Sequence, residues 1–404
     1  MLIHLKIIDM QKLFAFTLCF LTFSGFAQTA EKNGAYLATV GDCVSCHTAP
    51  GGKPFAGGLK MNSVFGYLLT PNITPDNATG IGSWTKDEFF GVLHNGVSKK
   101  GHDLYPLMPF TSYTKVSRAD VDAIYDYLRT VTPVSNSVVV NHLDFPFNIR
   151  SSMIVWRELF FKPDFFKPDP NQSPAWNRGA YLVEGLAHCA ECHTPRNLMG
   201  AKENSKLFTG AAIDGWYALN LTSNIATGLG SWSAQDIARY LKTGSYPGRT
   251  TALGPMEEVV HNSTSKMTDA DLLAIGTYLK TLPPNSKLNG ADRQVDTTRF
   301  EGVRLYVDNC SGCHQSTGKG IVKMIPPLAG NPVVMAPSGA DIVKVIIRGI
   351  QARGGYIPMP SFAPRLNDEE IAEIANYIRT SWGNSASANV TSAMVKQIRA
   401  NPGL

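Results

Sequence analysis

The 404-residue sequence is poor in charge: 17% of its residues are Asp, Glu, Lys or Arg, and the net charge is only +5. It has no run of five or more basic residues, which excludes a nucleic-acid footprint. It also lacks a phosphate loop, a nucleophile elbow and a G-x-G-x-x-G fingerprint, so the chain brings no site for an organic redox cofactor and any substrate oxidation must occur elsewhere. Long hydrophobic runs are equally scarce. After the first thirty residues the most apolar stretch, 145–166, is interrupted by Arg150, Arg157, Glu158, Lys162 and Asp164, too many charges for a simple span in hydrocarbon. What remains is an ordinary globular composition, 44% apolar, long enough for two or three domains.

The first residues read as an export signal. Lys6 and Lys12 precede an uncharged stretch over 13–27 that ends in Gly25-Phe26-Ala27, with small residues where a signal peptidase cleaves. Fifteen uncharged residues fall short of the roughly 20 needed to cross a bilayer. The sequence therefore predicts a signal peptide over 1–27, a start at Met1 or Met10, and a mature body in the periplasm. Cys19 leaves with that signal, so the seven cysteines of the full chain become six.

Those six fall in three identical frames: Cys43-Val44-Ser45-Cys46-His47, Cys189-Ala190-Glu191-Cys192-His193 and Cys310-Ser311-Gly312-Cys313-His314. Each follows a short helical pattern opening at Gly34, Gly179 or Gly302. Each is followed, further on, by an amphipathic helix behind a capping residue and an acidic first turn, at Ser117, Thr268 and Asn367. The first two units also share Asn72-Ile73-Thr74 through Gly80-Ile81-Gly82-Ser83-Trp84 and Asn220-Leu221-Thr222 through Gly228-Leu229-Gly230-Ser231-Trp232, at a constant offset of 148. Repetition of this kind marks duplication. It predicts a mainly α chain of three tandem domains over 28–150, 170–288 and 294–384, with Pro-rich linkers, a strap over 151–169 and a tail over 385–404.

Two cysteines three apart on one helical turn suit thioether attachment to one porphyrin, and the adjacent histidine suits ligation of its iron. A zinc half-site would need a second pair close by and a redox dithiol would need a βαβ setting, and the sequence offers neither. Three covalent haem c groups are expected, on Cys43 and Cys46, Cys189 and Cys192, and Cys310 and Cys313. Their axial histidines are His47, His193 and His314. A soft thioether is the usual second ligand when haem transfers electrons. Met108, Met256 and Met359, each beside proline, follow the histidines by 61, 63 and 45 residues and are expected in stiff loops. Met61, Met199, Met267, Met324 and Met335 read as ordinary packing. A backbone carbonyl near Pro50, Pro195 or Pro326 is expected to orient each histidine ring. Trp84 and Trp232 suit either propionate contacts or packing.

With these motifs, together with Trp176-Asn177-Arg178-Gly179-Ala180-Tyr181-Leu182, Cys192-His193-Thr194-Pro195-Arg196-Asn197 and Gly254-Pro255-Met256, the chain resembles the tri-haem cytochrome c subunits of bacterial membrane-bound dehydrogenases. The resemblance implies a partner large subunit that oxidises an alcohol, aldehyde, sugar or sugar acid at a PQQ, FAD or molybdenum centre. It also implies electron relay through three haems to ubiquinone or a terminal oxidase, with no substrate chemistry on this chain. Family members often reach the membrane through C-terminal amphipathic segments, for which this tail offers only Val390, Ala393, Met394 and Ile398. Two other classes remain open at this stage: a free-standing multihaem carrier, and a haem enzyme such as a peroxidase or thiosulfate dehydrogenase.

Overall fold

The computed structural model of the chain describes residues 33–225, 227–246, 249–284, 300–352 and 355–401. The expected signal over 1–27, Cys19, Met10 and most of the second linker lie outside the described residues. Helices dominate, as the sequence predicts. The chain divides into two compact units, one built from 33–102 with 117–148, the other from 103–116 with 149–401.

In the first unit a helix over 33–40 runs into the turn Cys43–Cys46, and the helix Arg118–Leu128 closes the unit. Ser117 caps that closing helix by accepting from the amide of Asp120, as its sequence suggests. The two helices meet at Gly34, where a Cβ would lie 2.0 Å from the Ala123 carbonyl oxygen, so only glycine lets the backbones approach this closely. A feature absent from the sequence reading is a three-stranded antiparallel sheet, Lys60–Ser63, Gly66–Leu69 and Asn141–Leu143.

The second unit carries the same crossing twice. Gly179, in the helix Pro174–Tyr181, faces Ala274 of the helix Asp269–Leu279, again with a Cβ-to-oxygen separation of 2.0 Å. Gly302, in the helix Phe300–Asn309, faces Glu373 of the helix Asp368–Thr380 at a looser 2.9 Å. Thr268 and Asn367 cap the closing helices, the latter in a full capping box with Glu370. Two short hairpins, Ala211–Ile213 with Trp216–Ala218 and Ser245–Tyr246 with Thr250–Thr251, and the helices Ala234–Thr243 and Pro255–Asn262 lie between the second motif and its closing helix.

One boundary differs from the sequence expectation, and two connecting segments prove to be helical and packed. The segment 103–116, placed by sequence in the first domain, packs with the second unit: Phe110 is fully buried beside Trp156 and Ala201, and Met108 rests against the same cluster. The strap over 151–169 begins as a helix, Ser152–Phe160, whose Trp156 anchors that cluster. The tail forms a helix, Ser392–Ala400, with Val395 fully buried and Met394 and Ile398 packed on the core of the last unit. Its apolar stripe faces the protein because that is where the matching apolar surface of Ile371, Ile374 and Ile378 lies.

Candidate haem sites

Each motif histidine holds one ring nitrogen against a backbone carbonyl. His47 Nδ1 donates to the Pro71 oxygen at 2.8 Å, His193 Nδ1 to the Leu219 oxygen at 2.7 Å, and His314 Nδ1 to the Pro326 oxygen at 3.2 Å. The proton is thereby placed on Nδ1, and Nε2 keeps its lone pair for a metal. Burial also lowers the pKa of all three histidines, against the opposing pull of those carbonyls, which keeps the imidazoles neutral. The Pro326 carbonyl is the acceptor that sequence reasoning names for the third site. In the first two the acceptors are not Pro50 and Pro195 but Pro71 and Leu219, which stand at the same offset of 148 as the Asn-x-Thr motifs that follow them.

Those motifs explain the change. After each of the first two Cys-x-x-Cys-His motifs the chain makes a hairpin, whose second strand, Gly66–Leu69 or Trp216–Ala218, leads to the accepting carbonyl. The next residue, Asn72 or Asn220, is buried and ties the loop: its Oδ1 accepts from the amide of Thr74 or Thr222, while its Nδ2 donates to Thr79 or Thr227 at 3.0 Å. Asn72 also donates to the Val134 oxygen at 2.7 Å. Gly80 and Gly228 close the loop where a Cβ would meet the carbonyl of Thr74 or Thr222 within 2.3 Å. The conspicuous sequence repeat is therefore the scaffold that aims a carbonyl at an imidazole.

Burial pushes the thiols of Cys43, Cys189 and Cys310 up to about 12, so without a bound group they stay protonated, unlike the low-pKa thiolate of an active dithiol. Among the described residues no group of three or more His, Cys, Asp and Glu side chains gathers as a metal-binding cluster. In the third site one cavity is lined by Cys310, Cys313 and His314 together with Met359, and its walls are largely apolar, including Ile325, Leu328, Val334 and Ile346. Paired thiols, an imidazole with a free Nε2 and a thioether facing one apolar cavity fit haem c.

Of the three methionines only Met256 departs from the expected loop. Met256 is the second residue of the helix Pro255–Asn262, entered through Gly254 at φ 53°. Met359 is pinned by a pair of backbone hydrogen bonds to Ile350, at 2.9 and 2.8 Å. Met108 lies in a turn, its amide donating to the Tyr105 oxygen at 3.2 Å. Of the methionines assigned to packing, Met267 is fully buried, whereas Met199 and Met324 are about half exposed. Trp232 is buried against Tyr240 and Tyr246, which favours its packing role.

Sequence reasoning passed over Glu191 inside the second motif. Its carboxylate is buried and accepts from Thr111 Oγ1 at 2.7 Å, Ser112 Oγ at 2.6 Å, Lys202 Nζ at 2.6 Å and Arg196 Nη2 at 2.7 Å. Burial alone would raise its pKa, but the two cations and the hydroxyls outweigh this and hold it at about 2. The group joins the second motif to the segment carrying Met108. No local pattern in the sequence signals it, since its partners stand up to 80 residues away.

Residues 31–132 and 301–382 match the cytochrome c family, one range around the first motif and one around the third. Over nearly its whole length the chain is also similar to characterised proteins. It is 37% identical to the gluconate 2-dehydrogenase cytochrome c subunit of Pantoea cypripedii, over 96% of this chain and 95% of that protein. It is 39% identical to the cytochrome c subunit of the quinone alcohol dehydrogenase of Gluconacetobacter polyoxogenes, over 91% and 84%. With the fructose dehydrogenase cytochrome subunit of Gluconobacter japonicus it shares 38% identity over 91% and 82%. With its motif histidines held by carbonyls beside paired thiols and with relatives matched nearly end to end, the chain belongs to the cytochrome c subunits of bacterial dehydrogenases.

Proposed function

We propose that the protein is the electron-relay subunit of a dehydrogenase complex, carrying three covalent haem c groups and passing electrons from a partner large subunit to ubiquinone or a terminal oxidase. The observation that carries this reading is the repeated histidine geometry: three C-x-x-C-H motifs, each with Nδ1 committed to a carbonyl and Nε2 left for iron. Three glycine-to-closing-helix crossings, one per motif, support a division into three cytochrome domains.

The thioethers would form on Cys43 and Cys46, Cys189 and Cys192, and Cys310 and Cys313. His47 with Met108, His193 with Met256 and His314 with Met359 would fill the axial positions; only the last pair shares one observed cavity, and the first two rest on sequence order. Bound haem supplies a one-electron couple whose potential depends on its ligands and surroundings. The residues of this chain do the rest: they orient the imidazoles, present the thioethers and line the third site with apolar walls. If a histidine and a methionine both hold each iron, no position would be open to peroxide, which favours relay over peroxidase chemistry.

The signal expected over 1–27 would put this work in the periplasm, and the partner would be of the PQQ, FAD or molybdenum type. Among the described residues no helix is long and apolar enough to cross a membrane. Association with the membrane would therefore run through the partner or a surface contact, because the stripe Val390, Met394 and Ile398 is occupied in packing. Purifying the native complex and asking which alcohols, aldehydes or sugar acids reduce its haems tests the reading. A co-purifying dehydrogenase whose substrate reduces the haems is the expected result. Isolation of the cytochrome alone with peroxide turnover would overturn it.

A further inference from the structure

The helix Ala340–Arg348 belongs to the last motif's part of the chain, and its Ile342, Val345 and Ile346 line the cavity with His314 and Met359. Two of its polar side chains turn the other way. Asp341 and Lys344 are 3% and 2% exposed, and both reach the hairpin Ala211–Ala218 of the second motif's part. The carboxylate of Asp341 accepts from the amide of Tyr217 at 3.2 and 3.1 Å through its two oxygens. The ammonium of Lys344 donates to the carbonyl of Gly215 at the hairpin turn and stands 4.8 Å from the centre of the Trp216 ring. Arg348 approaches the same ring at 6.0 Å.

This hairpin touches the second site on two sides. Its outgoing strand, Trp216–Ala218, runs directly into Leu219, whose carbonyl accepts from His193 Nδ1. The Trp216 ring packs on Gly254 so tightly that a Cβ there would lie 2.5 Å from it, and Gly254 opens the helix bearing Met256 two residues later. One short element thus sets the imidazole partner and braces the methionine turn. Burying a carboxylate and an ammonium at such a place costs desolvation energy that a packing contact between apolar side chains would avoid.

We infer that Asp341 and Lys344 are positioning residues for the second haem site: from the helix that walls the third site, they hold the hairpin that orients His193 and supports the Met256 turn. The two sites are then mechanically linked through a shared support, and the strength of the Nδ1-to-carbonyl hydrogen bond, which tunes the ligand's basicity and the iron's potential, is set from outside the second domain. The inference rests on the reading of His193 and Met256 as the second haem's ligands.

The test is spectroelectrochemical titration of the purified tri-haem holoprotein, with haem content per chain as the check on folding. Met256→His serves to mark the second haem's transition. Asp341→Ala and Lys344→Met should each change the second haem's reduction equilibrium roughly threefold to tenfold, the upper figure being about 59 mV for one electron, and should shift the third haem's less. Asp341→Asn, which keeps an acceptor of the same size, should restore most of the wild-type value. Shifts at the third haem equal to or larger than those at the second, or no shift in any variant, would overturn the inference. If Met256→His changes no haem spectrum, the ligand reading itself fails, a result distinct from ligand variants that act while the Asp341 and Lys344 variants do not. Should Asp341→Ala lose haem, Lys344→Met and Asp341→Asn carry the comparison.

Discussion

Gly179 lies against the backbone of Ala274 so closely that a methyl group on it would overlap the carbonyl oxygen, 2.0 Å away, with the Cβ of Tyr278 at 2.9 Å. The same contact recurs between Gly34 and Ala123, and more loosely between Gly302 and Glu373. Helix-to-helix approach at this distance is available to glycine alone. Gly34→Ala and Gly179→Ala should each destabilise their unit by about 1–3 kcal/mol, the usual cost of overpacking. Gly302→Ala, with 2.9 Å to the nearest atom, should cost least. Urea denaturation of the three variants checks the order.

In the first two sites the carbonyl that accepts from the motif histidine is followed directly by a buried asparagine that ties the loop. Asn220→Ala removes the acceptor for Thr222 N at 2.8 Å and the donor to Thr227 at 3.0 Å. A loss of about 1–3 kcal/mol is expected for the buried groups left without partners. A second effect separates this from general weakening: the haem on the second motif should change potential while the third, which lacks this loop, does not. Asn72→Ala should act in the same way on the first.

Glu191 makes a testable acid dependence. Its folded pKa, about 2, lies below the ordinary carboxylate value of 4.5, so its ionised form stabilises the folded state above pH 4.5. That contribution is lost as the pH falls from 4.5 through 2. Glu191→Gln should therefore unfold more easily than wild type at neutral pH and show a shallower loss of stability across this acid window. Leaving Lys202 and Arg196 without their carboxylate should cost about 3 kcal/mol at neutral pH. Thermal melts between pH 2 and pH 7 measure both, and parallel pH profiles for the two proteins would refute the assignment.

Met359 shares a cavity with Cys310, Cys313 and His314, which makes it the clearest of the proposed ligands to test. Met359→Ala should abolish one third of the methionine-to-iron charge-transfer absorbance of the oxidised holoprotein and lower the potential of one haem, with three haems still attached. Met324→Ala, at an exposed site outside the cavity, should leave the spectrum unchanged.

The C-terminal helix Ser392–Ala400 makes the opposite prediction from a membrane anchor. Val395→Asp places a charge at a fully buried position, and loss of stability by several kcal/mol should follow. In vesicle flotation, wild-type protein without its partner should stay in the soluble fraction.

Much of this protein was readable in one dimension because its chemistry is local. Cys-x-x-Cys-His places all the covalent and proximal groups within five residues, so the motif count and the three histidines need no fold to be found. The capped closing helices are local too: Ser117, Thr268 and Asn367 act on amides two or three residues away. The acceptors of the histidines were misplaced in the first two sites because they are non-local. Between His47 and Pro71, and between His193 and Leu219, the chain makes a hairpin whose strands are too short to announce themselves by alternation.

By itself, then, the sequence determined the repeat: three Cys-x-x-Cys-His frames and the motifs around them. Tertiary structure decided which carbonyl orients each ring, that the segment carrying Met108 packs on the second unit, and that the tail's apolar stripe turns inward. It also brought Asp341 and Lys344 onto a hairpin more than 120 residues earlier. The physical reason is range. Covalent attachment and helix capping involve neighbours along the chain, whereas a buried charge, a shared core and a ligand's hydrogen-bond partner depend on which surfaces folding brings together.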